Sequence, residues 1–235
     1  MKGVSKIDAT TDSRLAQNTG YIIGCILIAI ILIVLVLPGQ EDLHSSGPAN
    51  TGHEQIACES CHVKAPGTVR QQLQANVRYY LGLRQNQADF IHQAVTNDTC
   101  LACHERPNNF HPPHRFFEPR FAEVRRILHP ERCVSCHTEH QGGRVTHVDL
   151  TFCKHCHRDT VIKDDPITVP HDELAHGEDW ETCLGCHDFH GNHKMEIETV
   201  VDRVIKSHTL IEYFNGGPSP YDGEIIYKAK EKTDE

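Results

Sequence analysis

The stretch CVSCHTEH, residues 133–140, contains two cysteines separated by two residues, a histidine directly after them, and a second histidine three residues later. Cysteine and histidine at this spacing serve metal binding, thiol redox chemistry or covalent cofactor attachment. The stretch could therefore be half of a zinc site, a redox dithiol, or one copy of a repeat. The other cysteines of the chain distinguish these three interpretations.

The same motif occurs five times. Ten of the 11 cysteines form pairs with two residues between them and a histidine directly after. The copies are CESCH at 58–62, CLACH at 100–104, CVSCH at 133–137, CKHCH at 153–157 and CLGCH at 183–187. With 19 histidines in 235 residues, chance would place a histidine after all five pairs with a probability of roughly 3 in a million. Zinc does not require that histidine, and a redox dithiol would need only one pair, beside a βαβ pattern that is absent.

C-x-x-C-H is the attachment signature of c-type haem. Two sulfurs at this spacing reach the two vinyl positions on one edge of the porphyrin, and the adjacent histidine turns its imidazole onto the iron. The sequence therefore predicts five covalently bound haem c groups. The predicted attachment residues are Cys58, Cys61, Cys100, Cys103, Cys133, Cys136, Cys153, Cys156, Cys183 and Cys186, and the predicted proximal ligands are His62, His104, His137, His157 and His187.

The remaining histidines predict the ligand on the opposite face of each iron. Since Met1 and Met195 are the only methionines, bis-histidine iron is expected, at lower potential than histidine–methionine iron. The distal candidates are His53, His92, His129, His140, His147, His171, His176, His190 and His193. His140 and His190 each follow a proximal histidine by three residues and start on its side of the haem plane, so both are better placed for a neighbouring iron.

Three further histidines are not assigned as distal ligands. His111 and His114, in the sequence FHPPH, suit a ligand-bearing turn and an ordinary turn equally. His155 lies between two motif cysteines and is predicted to face solvent. No catalytic residue is predicted.

An apolar run at residues 21–37, YIIGCILIAIILIVLVL, predicts a transmembrane anchor. Leu37 stands where signal-peptide cleavage would need a small residue, so the anchor is expected to remain uncleaved. Lys2, Lys6 and Arg14 precede the run, and the next lysine is Lys64. This asymmetry predicts a single-pass protein of the bacterial cytoplasmic (inner) membrane, with residues 1–20 in the cytoplasm and the haem domain in the periplasm.

The rest of the chain predicts three further segments: a linker at 38–52, a pentahaem domain at 53–214 and an extended C-terminal tail at 215–235. Helical spacing of apolar residues occurs within 67–97, from Pro119 to Pro130, and near 195–207. Aromatic residues make up only 6%. The expected fold is mainly α with extensive loops, wrapped around a haem stack, plus one N-terminal transmembrane helix. The tail is expected either to be partly disordered or to dock on a partner subunit.

The five motifs and the extra histidine of CHTEH, over about residues 53–193, resemble the multihaem c-type cytochromes of the class III cytochrome c-like group. The resemblance implies closely packed bis-histidine haems that relay electrons in a respiratory chain. The pentahaem subunit of alternative complex III is similar in its anchor and haem count, which implies redox partner proteins, such as subunits of a membrane respiratory complex. The formal charge of −9 argues against a nucleic-acid partner.

An enzyme is the alternative. Quinol dehydrogenases of nitrate and nitrite reduction are similar in joining one N-terminal helix to several haems, and this likeness would make membrane quinol the substrate. Their first haem is followed closely by a methionine, whereas this chain reads CESCHVKAPG. The lysine-ligated C-x-x-C-K motif of multihaem nitrite reductases does not occur either.

Overall fold

The computed structural model describes residues 6–37, 43, 45–146, 151–177, 180–221 and 223–230. The chain divides into two compact units, Met1–Pro48 and Ala49–Glu235. Among the described residues the regular structure is helical and no β-strand occurs, apart from isolated bridges such as His193 with Ile225. The predicted mainly α class is confirmed at this level.

The first unit contains α1, Lys6–Val36. The stretch Arg14–Leu35 within it is long and apolar enough to cross a membrane, and none of it is buried inside the protein. At a rise of 1.5 Å per residue, 22 residues extend about 33 Å, which matches a hydrocarbon core of about 30 Å. The helix begins earlier than the apolar run predicted, because nothing in the polar residues before Tyr21 breaks it.

The second unit consists of short helices joined by long loops. Its α-helices are α2 Val69–Tyr80, α3 Asn97–Leu101, α4 Ala122–Leu128, α5 Lys154–His157, α6 His171–His176 and α7 Ser207–Phe214. Its 3₁₀ helices are Cys58–Ser60, Pro113–Phe117, Pro119–Phe121, Cys133–Ser135, Cys183–Gly185 and Val201–Arg203.

Two of the three predicted helices are present, and one was wrong. The first is confirmed as α2, capped by the Thr68 hydroxyl, which accepts from the Gln71 N–H. The second begins with a 3₁₀ turn at Pro119 and continues as α4. The stretch 195–207 contains only the 3₁₀ turn Val201–Arg203, since its β-branched residues disfavour a helix.

The α-helix in this region is instead α7, whose Leu210 and Phe214 are buried against Leu184. They form the centre of a small core, with Phe189 and Ile205 packed at its edge. The buried apolar side chains of the described residues are Ala65, Phe116, Leu184, Val204, Leu210 and Phe214. So few buried apolar groups are far below what a polypeptide of this length normally needs for stability.

The described part of the C-terminal tail lies on its own domain. The Ile226 N–H donates to the Asn192 carbonyl at 2.7 Å, and the Lys194 N–H donates to the Glu224 carbonyl at 3.0 Å. Further along, the Lys230 N–H donates to the Cys103 carbonyl at 2.9 Å. The tail therefore connects the chain after the fifth motif to the second motif.

Candidate haem-binding histidine pairs

All five C-x-x-C-H motifs adopt the same hydrogen-bonded turn. In each, the carbonyl of the first cysteine accepts from the N–H of the second cysteine at 3.1–3.2 Å and from the N–H of the motif histidine at 2.9–3.0 Å. A single helical turn places residues three and four apart on one face. The two sulfurs and the imidazole therefore leave the chain on the same side, which suits attachment at one porphyrin edge.

Neighbouring turns are held close together. The thiols of Cys100 and Cys133 share a hydrogen bond, which joins the second and third motifs. The Asn97 side chain supports this contact, because its Oδ1 accepts from the Cys133 N–H at 3.0 Å. The thiols of Cys153 and Cys183 likewise join the fourth and fifth motifs. The second motif is thus adjacent to the third, and the fourth to the fifth.

Each motif histidine lies opposite a histidine from outside the motifs, at nearly constant separation. The distances between ring centroids are 5.8 Å for His104 with His53, 6.2 Å for His62 with His140, 6.1 Å for His137 with His190, 6.1 Å for His157 with His111, and 6.2 Å for His187 with His171. Two metal–nitrogen bonds of about 2 Å each, plus about 1 Å from each nitrogen to its ring centroid, give about 6 Å. The separations therefore fit two imidazoles on opposite faces of one iron. The varied interplanar angles fit as well, since each ring can rotate about the common axis.

Hydrogen bonds fix the ring orientation in these pairs. Nδ1 of His53 donates to Glu139 Oε2 at 3.0 Å, and Nδ1 of His171 donates to Asp165 Oδ2 at 2.9 Å. The remaining acceptors are the Phe189 carbonyl for His111 at 2.6 Å, the Arg144 carbonyl for His137 at 2.7 Å, and Asn109 Oδ1 for His190 at 3.2 Å. Because carbonyl and carboxylate oxygens only accept, Nδ1 carries the proton and Nε2 keeps a lone pair for a metal.

Burial keeps several of these rings neutral. Desolvation lowers the pKa of His190 to about 3 and also lowers the pKa of His137, with which it is paired. The pKa values of His104, His111 and His187 are lowered for the same main reason. A neutral imidazole is the form that coordinates a metal.

His62 has two histidine neighbours. Besides His140, the ring of His92 lies 5.7 Å away at an interplanar angle of 64°. The His140 separation matches the other pairs more closely, and His140 occupies the left-handed backbone region at φ 65°. Non-glycine residues adopt this conformation at a cost that often accompanies a functional role. His190 behaves in the same way. It follows the motif histidine His187 by three residues, and it lies opposite His137, which belongs to a different motif.

The distal candidates separate into three groups. His53, His92, His140, His171 and His190 each lie beside a motif histidine. Within the described residues, His129, His176 and His193 make no ring contact with a motif histidine and bond instead to Glu131, Asp172 and Asp188. His147 lies outside the described residues.

The candidates that sequence reasoning selected did not include His111. Its ring stacks on Phe189 at 4.2 Å and faces His157. The only signal in the sequence was the pair of prolines that shape its loop, and these did not separate it from His114. His155 is exposed, as predicted.

In the described part of the chain, no group of three or more histidine, cysteine or acidic side chains converges on one point as a bare metal ion would require. The donors occur as opposed pairs beside cysteine turns. Comparisons with protein-family models, with curated proteins and with solved structures found no match to this chain.

Proposed function

We propose that the chain is a membrane-anchored pentahaem c-type cytochrome that relays electrons between a membrane respiratory oxidoreductase and periplasmic or complex partners. The observation that carries this proposal is that all five motif histidines face a second histidine at 5.8–6.2 Å. This arrangement supports a polypeptide wrapped around a stack of haems rather than around an aliphatic core.

The chain's own residues would attach the haems, ligate their irons and orient the axial imidazoles. The ten motif cysteines would hold the porphyrin edges, and the five opposed pairs would supply both axial nitrogens. Bound haem supplies one-electron redox chemistry. The oxygen acceptors at Nδ1 hold the imidazoles at fixed angles and adjust their basicity. The adjacent turns, such as those of Cys100 and Cys133, would keep successive redox centres close together.

A relay is favoured over an enzyme that reduces its substrate at a haem, because the opposed histidines would give every predicted iron two nitrogen ligands. Substrate reduction at a haem needs an open axial position, which these pairs would fill. We assign the protein to the bacterial cytoplasmic membrane as a single-pass protein, with the N-terminus in the cytoplasm and the haem domain in the periplasm. The charge asymmetry around α1 supports this orientation.

Haem content and coordination test the proposal directly. A pyridine haemochrome assay of the purified full chain is expected to give five c-type haems, and carbon monoxide is expected to leave the reduced spectrum unchanged. Absence of a c-type band would overturn the cofactor assignment. A carbon monoxide complex in the unmodified protein would overturn the relay in favour of catalysis.

Replacing single histidines tests the pairing. His140→Ala is expected to open one iron of five to carbon monoxide and to convert that centre from low to high spin. His129→Ala is the matched control, because His129 also has a positive φ, of 49°, but within the described residues makes no ring contact with a motif histidine. His92→Ala should behave like this control. If His92→Ala opens the iron and His140→Ala does not, the ligand of the first site is His92.

A further inference from the structure

Helix α2, Val69–Tyr80, exposes its apolar side and buries the polar residue Gln72. Val69, Leu73, Val77 and Tyr80 recur at helical spacing and have exposed fractions of 58%, 56%, 48% and 75%. Gln72, one residue away from this stripe, is 5% exposed. A helix at the surface of a water-soluble domain normally shows the reverse distribution.

Two polar residues, the buried Gln72 and the half-buried Asn76, fix α2 to its domain. The Gln72 Nε2 donates to the carbonyls of Ala65, Pro66 and Gly67 at 3.2–3.3 Å, and its Oε1 accepts from the Ile91 N–H at 2.9 Å. Asn76 Oδ1 accepts from the Ala88 N–H at 2.8 Å. Because hydrogen bonds hold the helix in place, its apolar stripe stays available for another contact.

The charge around α2 has the opposite sign to the charge of the whole chain. From residue 60 to residue 88 there is no acidic residue, while Lys64, Arg70, Arg78 and Arg84 are basic. The complete protein has a formal charge of −9. In the described residues none of these three arginines makes an ion pair. An apolar stripe beside unpaired arginines and two adjacent tyrosines is typical of a helix that lies in the interface of an anionic membrane.

We propose that α2 is a second membrane contact, lying along the surface of an anionic bilayer with Leu73, Val77 and Tyr80 below the headgroups and Arg70, Arg78 and Arg84 among the phosphates. This inference rests on the membrane anchor and is independent of haem content. Acidic lipid is the occupant that the charge favours over an apolar protein surface.

The chain connecting the anchor to the second unit is compatible with this contact. Residues 37–48 follow the end of α1 at Val36, and a chain of that length can span at most about 40 Å. A tether of this length raises the effective lipid concentration for a weak interfacial helix. An isolated helix of 12 residues would otherwise bind only marginally.

Thiol accessibility in defined bilayers tests the proposal. The full chain carrying Cys25→Ser and Leu73→Cys would be reconstituted into nanodiscs of phosphatidylcholine with or without phosphatidylglycerol. A water-soluble maleimide would be applied, and modification would be read by mass spectrometry of the peptide that contains residue 73. Modification is expected to be slower in the anionic discs, with each arginine contributing about five-fold to the docking equilibrium. Arg70→Gln, Arg78→Gln and Arg84→Gln together should abolish the difference.

Val161→Cys is the matched control, since Val161 is an apolar residue that is 79% exposed and stands among mixed charges. Its modification should be equal in the two lipids. Val77→Cys would replace Leu73→Cys if the latter fails to fold by circular dichroism. Slow modification of residue 73 in both lipids and in detergent would mean that the protein itself covers this side of α2. Equal, fast modification in both discs would mean that a protein partner or nothing covers it, and either result overturns the proposal.

Discussion

Glu139 connects two parts of the second unit through one carboxylate. Its Oε2 accepts from His53 Nδ1 at 3.0 Å, and its Oε1 accepts from the Asn50 N–H at 2.8 Å. A carboxylate at Nδ1 makes an imidazole a stronger electron donor than a carbonyl does. On the proposed pairing of His53 with His104, Glu139 would therefore lower the potential of the second haem, and Asp165 would do the same through His171.

Removing the charge of Glu139 tests this effect. Glu139→Gln keeps an acceptor oxygen but not the negative charge, so one of the five midpoint potentials is expected to rise by on the order of 60 mV, a tenfold change in a one-electron equilibrium. Spectroelectrochemical titration would measure the shift. Glu131→Gln is the control, because Glu131 contacts Nδ1 of His129, which faces no motif histidine. A Glu139→Gln titration that superimposes on that of the unmodified protein would contradict the tuning role.

At the scale of elements, the fifth motif is the one packed most tightly into the protein core. Leu184 and Gly185 are both buried, and the Ile205 N–H donates to the Gly185 carbonyl at 3.3 Å. A Cβ built on Gly185 would lie 2.7 Å from the Ile205 carbonyl oxygen. Glycine is therefore required here by the close approach of the chain before α7.

Gly185→Ala is expected to lower the free energy of unfolding by about 1–3 kcal/mol, because the 201–206 segment must move away. Ser135 occupies the same position in the third motif, and Ser135→Ala should change stability by less than about 0.5 kcal/mol. Thermal unfolding followed by far-ultraviolet circular dichroism would compare the two variants. Equal midpoints for both would show that the fifth turn is no more constrained than the third.

The elements also show what could be read from the sequence. The apolar run of α1, the helix after Thr68 and the five cysteine turns follow from local chemistry, and each was predictable. The position of α7 was not, because Leu210 and Phe214 gain stability only by meeting Leu184 from a distant motif. His111 was missed for the same reason, since its partner His157 lies far along the chain.

At the scale of the whole molecule, the described residues of the second unit include too few buried apolar side chains for folding by hydrophobic burial alone. On the proposed function, its hydrogen-bonded turns and opposed histidines would surround the haems. If porphyrins replace the aliphatic core, cofactor binding and folding are linked.

The chain produced without haem attachment is therefore expected to lack a cooperative unfolding transition in its second unit. Urea titration followed by circular dichroism would compare it with the haem-loaded protein, which should unfold cooperatively. The signal of α1 would be present in both samples and serves as an internal reference. A cooperative transition of the haem-free second unit would show that the polypeptide alone suffices.

The pairing of His62 with His140, and of His137 with His190, has a consequence for biogenesis. On the proposed pairings, the first attachment site receives its second ligand from the third motif, and the third site receives its second ligand from the fifth. Export of the proposed haem domain would begin with the chain after α1, so the first site would lack its second ligand until residue 140 had crossed the membrane, and the third site until residue 190 had crossed. The sites would be completed in the order second, first, fourth, fifth and third, which differs from the order in which their motifs emerge.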